Sequence, residues 1–156
     1  MSSLISACGS DSSDGPSAAS VGKPEDNRPS RPIDACTAIS AADVARATGK
    51  HVRPGNSLQV VKGISSCQYA DPVLMVRLST DIGDQEAARN RELQPVDELP
   101  GLGDNAYTFV DKGTASKQRV LSVTRGHAQL YLSSAELTLK QMEKLTVGGL
   151  KALPRP

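Results

Sequence analysis

A long stretch with almost no large apolar side chains confines folding to the later part of this chain. Residues 9–33 contain six Ser, three Gly and four Pro, and Val21 and Ile33 are their only large aliphatic residues. Such a segment cannot bury enough surface to offset the entropy lost on ordering. We therefore expect residues 9–33 to form a disordered tether, although an ordinary disordered tail has the same composition, and residues 34–156 to form a single domain.

The residues before this stretch match a bacterial lipoprotein cleavage site. Leu4 and Ile5 are followed by the small residues Ser6 and Ala7 and then by Cys8. Small side chains suit the peptidase before the cut, and the cysteine sulfur carries the lipid. We interpret residues 1–8 as the remnant of a signal with cleavage before Cys8, and expect its basic and apolar regions upstream. The predicted partner is then a membrane, reached through a lipid anchor on Cys8, whereas the alternative is a stray thiol in a disordered tail.

The other two cysteines, Cys36 and Cys67, lie in sequence that has the pattern of ordered structure. In an exported protein they are expected to form a disulfide, whereas in a cytosolic protein they would be two buried thiols. In the chain-entropy model, closing this loop stabilises the fold by about 3.5–4 kcal/mol. No Cys-x-x-Cys motif is present, so redox catalysis is not indicated.

Two segments of the predicted domain carry helix signals at its ends. Ser40 followed by Asp43 predicts a helix N-terminus, and Gly49 is placed to end that helix. An apolar stripe predicts an amphipathic closing helix over residues 138–153. A further short polar helix is predicted over residues 83–93.

Alternating apolar residues between these helices predict a sheet. The strands are expected over residues 64–69, 73–80, 106–110, 118–124 and 127–133. The last two form a predicted hairpin around Arg125 and Gly126. The expected fold is therefore α+β: an antiparallel sheet with an N-terminal and a C-terminal helix packed on it, and one disulfide.

The composition disfavours several classes of partner. Eighteen basic residues against 17 acidic residues give a net charge of +1, which argues against nucleic-acid binding. Aromatic residues make up 3% of the chain, which leaves few side chains for base stacking. Two His and three Cys predict no zinc site, and no cofactor is indicated. The acidic group Asp81, Asp84 and Glu86 lacks the pattern of a calcium loop, so we expect it to supply charge at a helix N-terminus.

Catalytic motifs are also missing from the sequence, which predicts that the protein is not an enzyme. No serine lies in Gly-x-Ser-x-Gly or Ser-x-x-Lys, and His51 and His127 have no recognisable partner pattern. The glycines of residues 101–104 precede a strand, so a tight turn is favoured over a phosphate loop. A hydrolase or a lipid-carrying domain remains a less favoured hypothesis, and it would require a pocket that collects His51, Asp104 or Tyr131.

Several short motifs occur in an order that resembles a known family. The lipidation pattern at Cys8 and the tether are followed by a Cys36 segment that leads into a helix ending at Gly49. A Cys67-Gln68-Tyr69 strand and the Leu-Pro-Gly-Leu-Gly-Asp-x-Ala-Tyr segment of residues 99–107 come next. Over residues 34–153 the chain resembles the DUF-type lipoproteins of unknown function that are common in actinobacteria. The resemblance implies an exported α+β domain with a disulfide between helix and sheet, and no established enzymatic activity.

These observations predict a membrane-tethered lipoprotein of the bacterial cell envelope with a non-enzymatic binding or accessory role. An envelope protein is a candidate partner, whereas the sequence does not identify ligand-binding residues. The alternative is an immunity or inhibitor lipoprotein that neutralises a cell-wall hydrolase or a toxin. A neighbouring gene for a secreted hydrolase or toxin would favour that alternative.

Overall fold

The computed structural model describes residues 33–61, 63–80, 96–113 and 116–153, and seven strands within these ranges form one antiparallel sheet. Their order across the sheet is β1-β2-β3-β7-β6-β5-β4. The strands are β1 (Asn56–Val61), β2 (Ile64–Ala70), β3 (Val73–Ser79), β4 (Asp97–Glu98), β5 (Asn105–Asp111), β6 (Gln118–Arg125) and β7 (Ala128–Ser134). The centre of the sheet therefore joins β3 to β7, two strands that are far apart in the sequence.

Three helices are described: α1 (Ala35–Ala38), α2 (Ala41–Thr48) and α3 (Leu139–Gly149). Ser40 and Asp43 form a reciprocal capping box at the start of α2, and the helix ends at Gly49 in the left-handed conformation (φ 72°). Thr138 and Gln141 form a second capping box at the start of α3. Both long helices thus begin at residues whose side chains satisfy the free N–H groups of the first turn.

The hydrophobic core lies between the sheet and these helices. Helix α1 contacts β1, β2 and β3, helix α3 contacts β6 and β7, and α2 packs against α3. Strand β3 contributes Leu74, Val76 and Leu78 to this face because alternate residues of a strand point to the same side. The remaining buried apolar residues on the same face include Cys67, Tyr69, Leu121, Val123, Leu130 and Leu132.

The predicted fold class is confirmed at the coarse level. The antiparallel sheet, the helices near both ends of the domain and the Cys36–Cys67 disulfide are all present, and among the described residues strand outweighs helix. The predicted strands are present with ends shifted by no more than one residue, and the hairpin turn consists of Gly126 and His127. The predicted helix over residues 83–93 lies outside the described residues.

Three elements differ from the sequence-based expectation. The closing helix ends at Gly149 rather than Leu153, because the paired glycines Gly148 and Gly149 lower helix propensity and tighter turns follow. Strand β1 was not predicted, since its register with β2 shifts at Leu58 and its apolar pattern is weak. The short α1 and the two-residue β4 were also missed, because four or two residues carry no periodic signal.

Candidate functional site

Strand β2 holds the N-terminal end of the domain at three successive positions of one face. The Ser65 hydroxyl accepts a hydrogen bond from the backbone N–H of Ala35 at 2.8 Å. Cys67, two residues further along, forms the disulfide with Cys36. Two residues beyond that, the Tyr69 hydroxyl donates a hydrogen bond to the backbone carbonyl of Ile39. These three links join α1 and the start of α2 to the sheet.

The disulfide is covered by the backbone of residue 55. A Cβ atom on Gly55 would lie 2.4 Å from Cys67 Sγ and 2.8 Å from the ring of Tyr69. Only a glycine allows the chain to pass this close to both groups. The predicted pairing of Cys36 with Cys67 is therefore part of a closely packed cluster that includes Gly55 and Tyr69.

Burial of this cluster changes the acidity of Tyr69, which is 1% exposed. Loss of hydration on burial, together with the smaller effect of the nearby carboxylates of Asp43 and Asp34, raises the pKa of Tyr69 to about 12. The phenol is therefore neutral at physiological pH and acts as a hydrogen-bond donor. Its role in this cluster is structural, because its hydroxyl is occupied by the carbonyl of Ile39.

Residues 99–104 form a loop before β5 that is attached to the β6–β7 turn. One Asp104 carboxylate oxygen accepts a hydrogen bond from the N–H of Gly126 at 2.6 Å. The backbone N–H of Asp104 donates to the carbonyl of Thr124 at 2.8 Å. The expectation of a turn at residues 101–104 is confirmed, because both Gly101 and Gly103 have positive φ angles and β5 follows.

The other side of this turn is connected to α3. Arg125 Nη1 donates a hydrogen bond at 2.9 Å to the carbonyl of Leu150, at the C-terminal end of the helix. A cation at this end interacts favourably with the free carbonyls and with the helix dipole. Residues 104, 125 and 126 therefore join the loop, the hairpin and the helix by hydrogen bonds.

The three residues considered for a catalytic or lipid pocket are not brought together. His51 lies in the α2–β1 connection next to Lys50, whose Nζ is 3.9 Å from Asp71 in the β2–β3 turn. Asp104 lies beside the β6–β7 turn, at the opposite end of the sheet. Tyr131 lies between these ends, in the middle of β7. Each residue consequently has a different environment, and His51 and His127 are both exposed in connecting segments.

A feature that the sequence did not reveal is a buried polar surface on the sheet face opposite the described helices, called the polar face here. Gln129 is 6% exposed and donates from Nε2 to the Ser122 hydroxyl at 2.8 Å. Ser133 donates to the side-chain carbonyl of Gln118. The cross-strand row Arg77, Tyr131, Ser122 and Tyr107 runs through the centre of this face.

The aromatic residues are concentrated on the same polar face. Tyr107 and Phe109 have ring centroids 6.2 Å apart, and Tyr131 lies two strands away in the same cross-strand row as Tyr107. Burial raises the pKa of the Tyr131 hydroxyl, the charge of Asp111 and the neighbouring Tyr107 add to this rise, and the charge of Arg77 opposes it. The alternation along the strands predicts that these aromatic residues share one face of the sheet. The serines and glutamines on the same face, however, favour the prediction that it is exposed to solvent.

The remaining candidate residues lie outside the description. Cys8 and the acidic group Asp81, Asp84 and Glu86 are not among the described residues. Within the described ranges, no group of three or more His, Cys, Asp or Glu side chains is placed to hold a metal ion. Across the same part of the chain, no helix has the length and apolar character needed to span a membrane.

The described residues thus define a disulfide-linked antiparallel sheet with helices on one face and a buried polar network on the other. No protein-family model matches the chain, and no curated protein or solved structure is significantly similar to it.

Proposed function

We propose that this protein is a membrane-tethered lipoprotein of the bacterial cell envelope, whose exported α+β domain has a non-enzymatic binding or accessory role. The observation that carries the proposal is the disulfide between Cys36 and Cys67, the two cysteines of the folded domain. Disulfides persist in oxidising compartments such as the cell envelope and are rare in the cytosol. From the order of the motifs described above, we also propose that the chain is related to the DUF-type lipoproteins of unknown function.

The length of chain between Cys8 and the folded domain supports this assignment. The domain begins at Asp34, which caps α1 by accepting a hydrogen bond from the N–H of Cys36 at 2.9 Å. Residues 9–33 separate this point from the proposed lipid site, and a chain of that length spans about 80–90 Å when fully extended. A tether of this reach would hold the domain close to the membrane while leaving it free to meet an envelope partner.

The chemistry of the buried polar groups supports a binding role over catalysis. The Ser122 hydroxyl accepts from the amide of Gln129, and the Ser133 hydroxyl donates to the amide of Gln118. A serine nucleophile needs a general base within hydrogen-bond reach, and an amide cannot fill that role. Asp104 and Arg125, which could act as charged catalytic groups, hydrogen-bond to the backbone of Gly126 and Leu150.

Intact-mass spectrometry of the protein expressed in its own host from its own genomic locus tests the proposal. The expected species is extracted with the membrane fraction, begins at a lipid-modified Cys8, and gains the mass of two hydrogen atoms when a reductant cleaves the Cys36–Cys67 bond. A Cys8→Ser variant is the matched control, because it removes the lipid site and leaves the disulfide in place. The variant is expected to carry no lipid and to show the same gain of two hydrogen atoms on reduction.

The outcome that contradicts the proposal is equally specific. A soluble protein that retains its first residues, carries no lipid and has reduced Cys36 and Cys67 would place the domain in the cytosol. The assignment to the envelope would then be wrong, although the fold would be unaffected.

A further inference from the structure

The exposed side of helix α3 carries lysines that form no ion pair with any acidic side chain in the described part of the chain. Lys140, Lys144, Val147 and Lys151 are all exposed, whereas Glu143 is half-buried. Their spacing of four, three and four residues places them along one side of the helix, and Leu150 keeps a helical backbone beyond its end. We call Lys140, Lys144, Val147 and Lys151 the basic stripe.

The lysines of this stripe differ from the other basic residues of the helical layer. Among the described residues, Arg46 pairs with Asp43 at 3.1 Å and Lys50 lies 3.9 Å from Asp71. No such ion pair involves the three lysines of the basic stripe within that part of the chain. The chain as a whole has a net charge of +1. Glu143 is the one acidic residue within α3, so the three lysines give this side of the helix a net positive charge.

Val147 adds an apolar contact point at the centre of the basic stripe. Its side chain is 52% exposed, which makes it the most exposed large apolar residue among those described. A helix surface that combines lysines with an exposed apolar residue suits the interface of an anionic membrane, where the charges meet lipid head groups. One valine and three lysines give a weak attraction, so the surface needs to be held near its target.

The N-terminal attachment provides this proximity. Helix α1 is bonded to β2 through Cys36, on the same face of the sheet that α3 covers. A tether that enters at Asp34 therefore joins the domain on the side that bears the basic stripe. We propose that the basic stripe docks on the anionic lipid surface to which Cys8 is anchored, an inference that rests on the proposed lipoprotein function.

Docking would orient the domain as well as localise it. Because α3 lies on one face of the sheet, contact between the basic stripe and the lipid surface turns the polar face away from the membrane. Tethering raises the local concentration of the lipid surface, so even weak contacts are occupied much of the time.

Vesicle co-sedimentation of the full 156-residue chain, produced without lipid on Cys8, tests the docking separately from the anchor. The probes are vesicles of phosphatidylcholine alone and vesicles with 40 mol% phosphatidylglycerol. We expect binding only to the anionic vesicles, weakened by salt. Each lysine is expected to contribute about a fivefold change in partitioning, so a K140Q/K144Q/K151Q variant loses about 100-fold.

A control variant with the same charge change distinguishes a specific surface from overall charge. R77Q/K112Q/K117Q removes three exposed positive charges outside the helices, and it is expected to bind anionic vesicles nearly as the wild type does. V147A is expected to weaken binding about twofold. Circular dichroism of each variant establishes that the domain remains folded.

Three outcomes would overturn the docking proposal. Equal loss in the two triple variants would mean that net charge alone drives the attraction. Absence of wild-type binding to anionic vesicles would leave the basic stripe without a lipid partner. Stripe-dependent binding to soluble polyglutamate but not to vesicles would identify an acidic protein or polymer as the partner. None of these results would alter the mass-spectrometric test of the lipid anchor.

Discussion

The hydroxyl of Tyr69 on strand β2 donates a hydrogen bond to the backbone carbonyl of Ile39, thirty residues earlier in the chain. Ile39 is fully buried and lies between α1 and α2, where the chain changes direction. The bond therefore fixes the junction of two helices to strand β2 of the sheet. It acts beside the disulfide and the Ser65–Ala35 hydrogen bond, on the same face of β2.

Removing this hydroxyl is expected to destabilise the domain. A Tyr69→Phe substitution leaves the buried Ile39 carbonyl without the donor, at a cost of about 1–3 kcal/mol. Urea denaturation followed by circular dichroism measures the change. Thr37→Val is the control, because it removes an exposed hydroxyl from α1 and is expected to change stability by less than about 0.5 kcal/mol.

The raised pKa of Tyr69 also predicts a dependence on alkaline pH. A tyrosine whose pKa is about 12 when folded and about 10 when unfolded adds stability below pH 10 that is lost as the pH rises through 12. The wild type should therefore lose about 2 kcal/mol more than Tyr69→Phe between pH 9 and pH 12. Urea denaturation of both proteins across this range measures the difference, and a constant difference would contradict the assignment.

The disulfide is expected to supply a large part of the stability of the domain. Cys36 and Cys67 are separated by 31 positions, and opening a loop of this size costs about 3.5–4 kcal/mol in the chain-entropy model. A C36A/C67A variant in a Cys8→Ser background should show this loss in urea denaturation. Dithiothreitol should lower the stability of the Cys8→Ser parent and leave the double variant unchanged, and a shift in the double variant would point to another effect of the reductant.

Gly101 and Gly103, in the loop that precedes β5, provide a matched pair for testing how closely this loop is packed. Gly101 (φ +89°) has open space where a Cβ would stand, whereas at Gly103 (φ +63°) a Cβ would meet the Thr124 carbonyl at 2.4 Å and Val123 at 2.7 Å. Gly101→Ala should cost about 1–2 kcal/mol for the left-handed backbone alone. Gly103→Ala should cost about 1–3 kcal/mol more because of the collision. Thermal denaturation measures the loss of stability in both variants. Equal losses would mean that the loop can move away from Thr124 and Val123 at no cost.

The contact between Asp104 and Gly126 predicts a local effect at the hairpin turn. Asp104→Ala removes the acceptor of the Gly126 N–H and should lower stability by about 1 kcal/mol, since the bond is exposed. Hydrogen exchange of the Gly126 amide should quicken in this variant. Asp104→Asn keeps an acceptor oxygen and is expected to retain most of the protection, whereas unchanged exchange in Asp104→Ala would show that the bond is dispensable.

Local patterns made part of this structure predictable. Ser40 and Asp43 lie three residues apart and form a capping box within one helical turn, so neighbouring residues carry the whole signal. Leu74, Val76 and Leu78 alternate along β3 and predict its buried face in the same way. The disulfide could be predicted because the folded region contains only two cysteines.

The features that were missed depend on residues of different strands and loops that the fold brings together. Ser122 and Gln129 are polar and would be expected in contact with water. Both are nevertheless buried, and the Gln129 amide donates a hydrogen bond to the Ser122 hydroxyl. No motif in the sequence indicates a role for Asp104. Its structural role is to accept a hydrogen bond from the N–H of Gly126, which the fold brings beside it in the β6–β7 turn. Helix propensity and strand alternation contain no information about such pairs, because they describe only sequence neighbours.

The disulfide has a mechanical consequence for a domain held by its N-terminal end. Cys36 lies two residues after Asp34, so tension arriving from that side passes almost at once through the sulfur–sulfur bond into β2. Helix α2 and strand β1 lie within the covalent loop and bear none of this load, since the loop cannot lengthen while the bond is intact. Under shear or the pull of a bound partner, the force is carried by the interstrand hydrogen bonds of β2 with β3, and the helical layer stays in place.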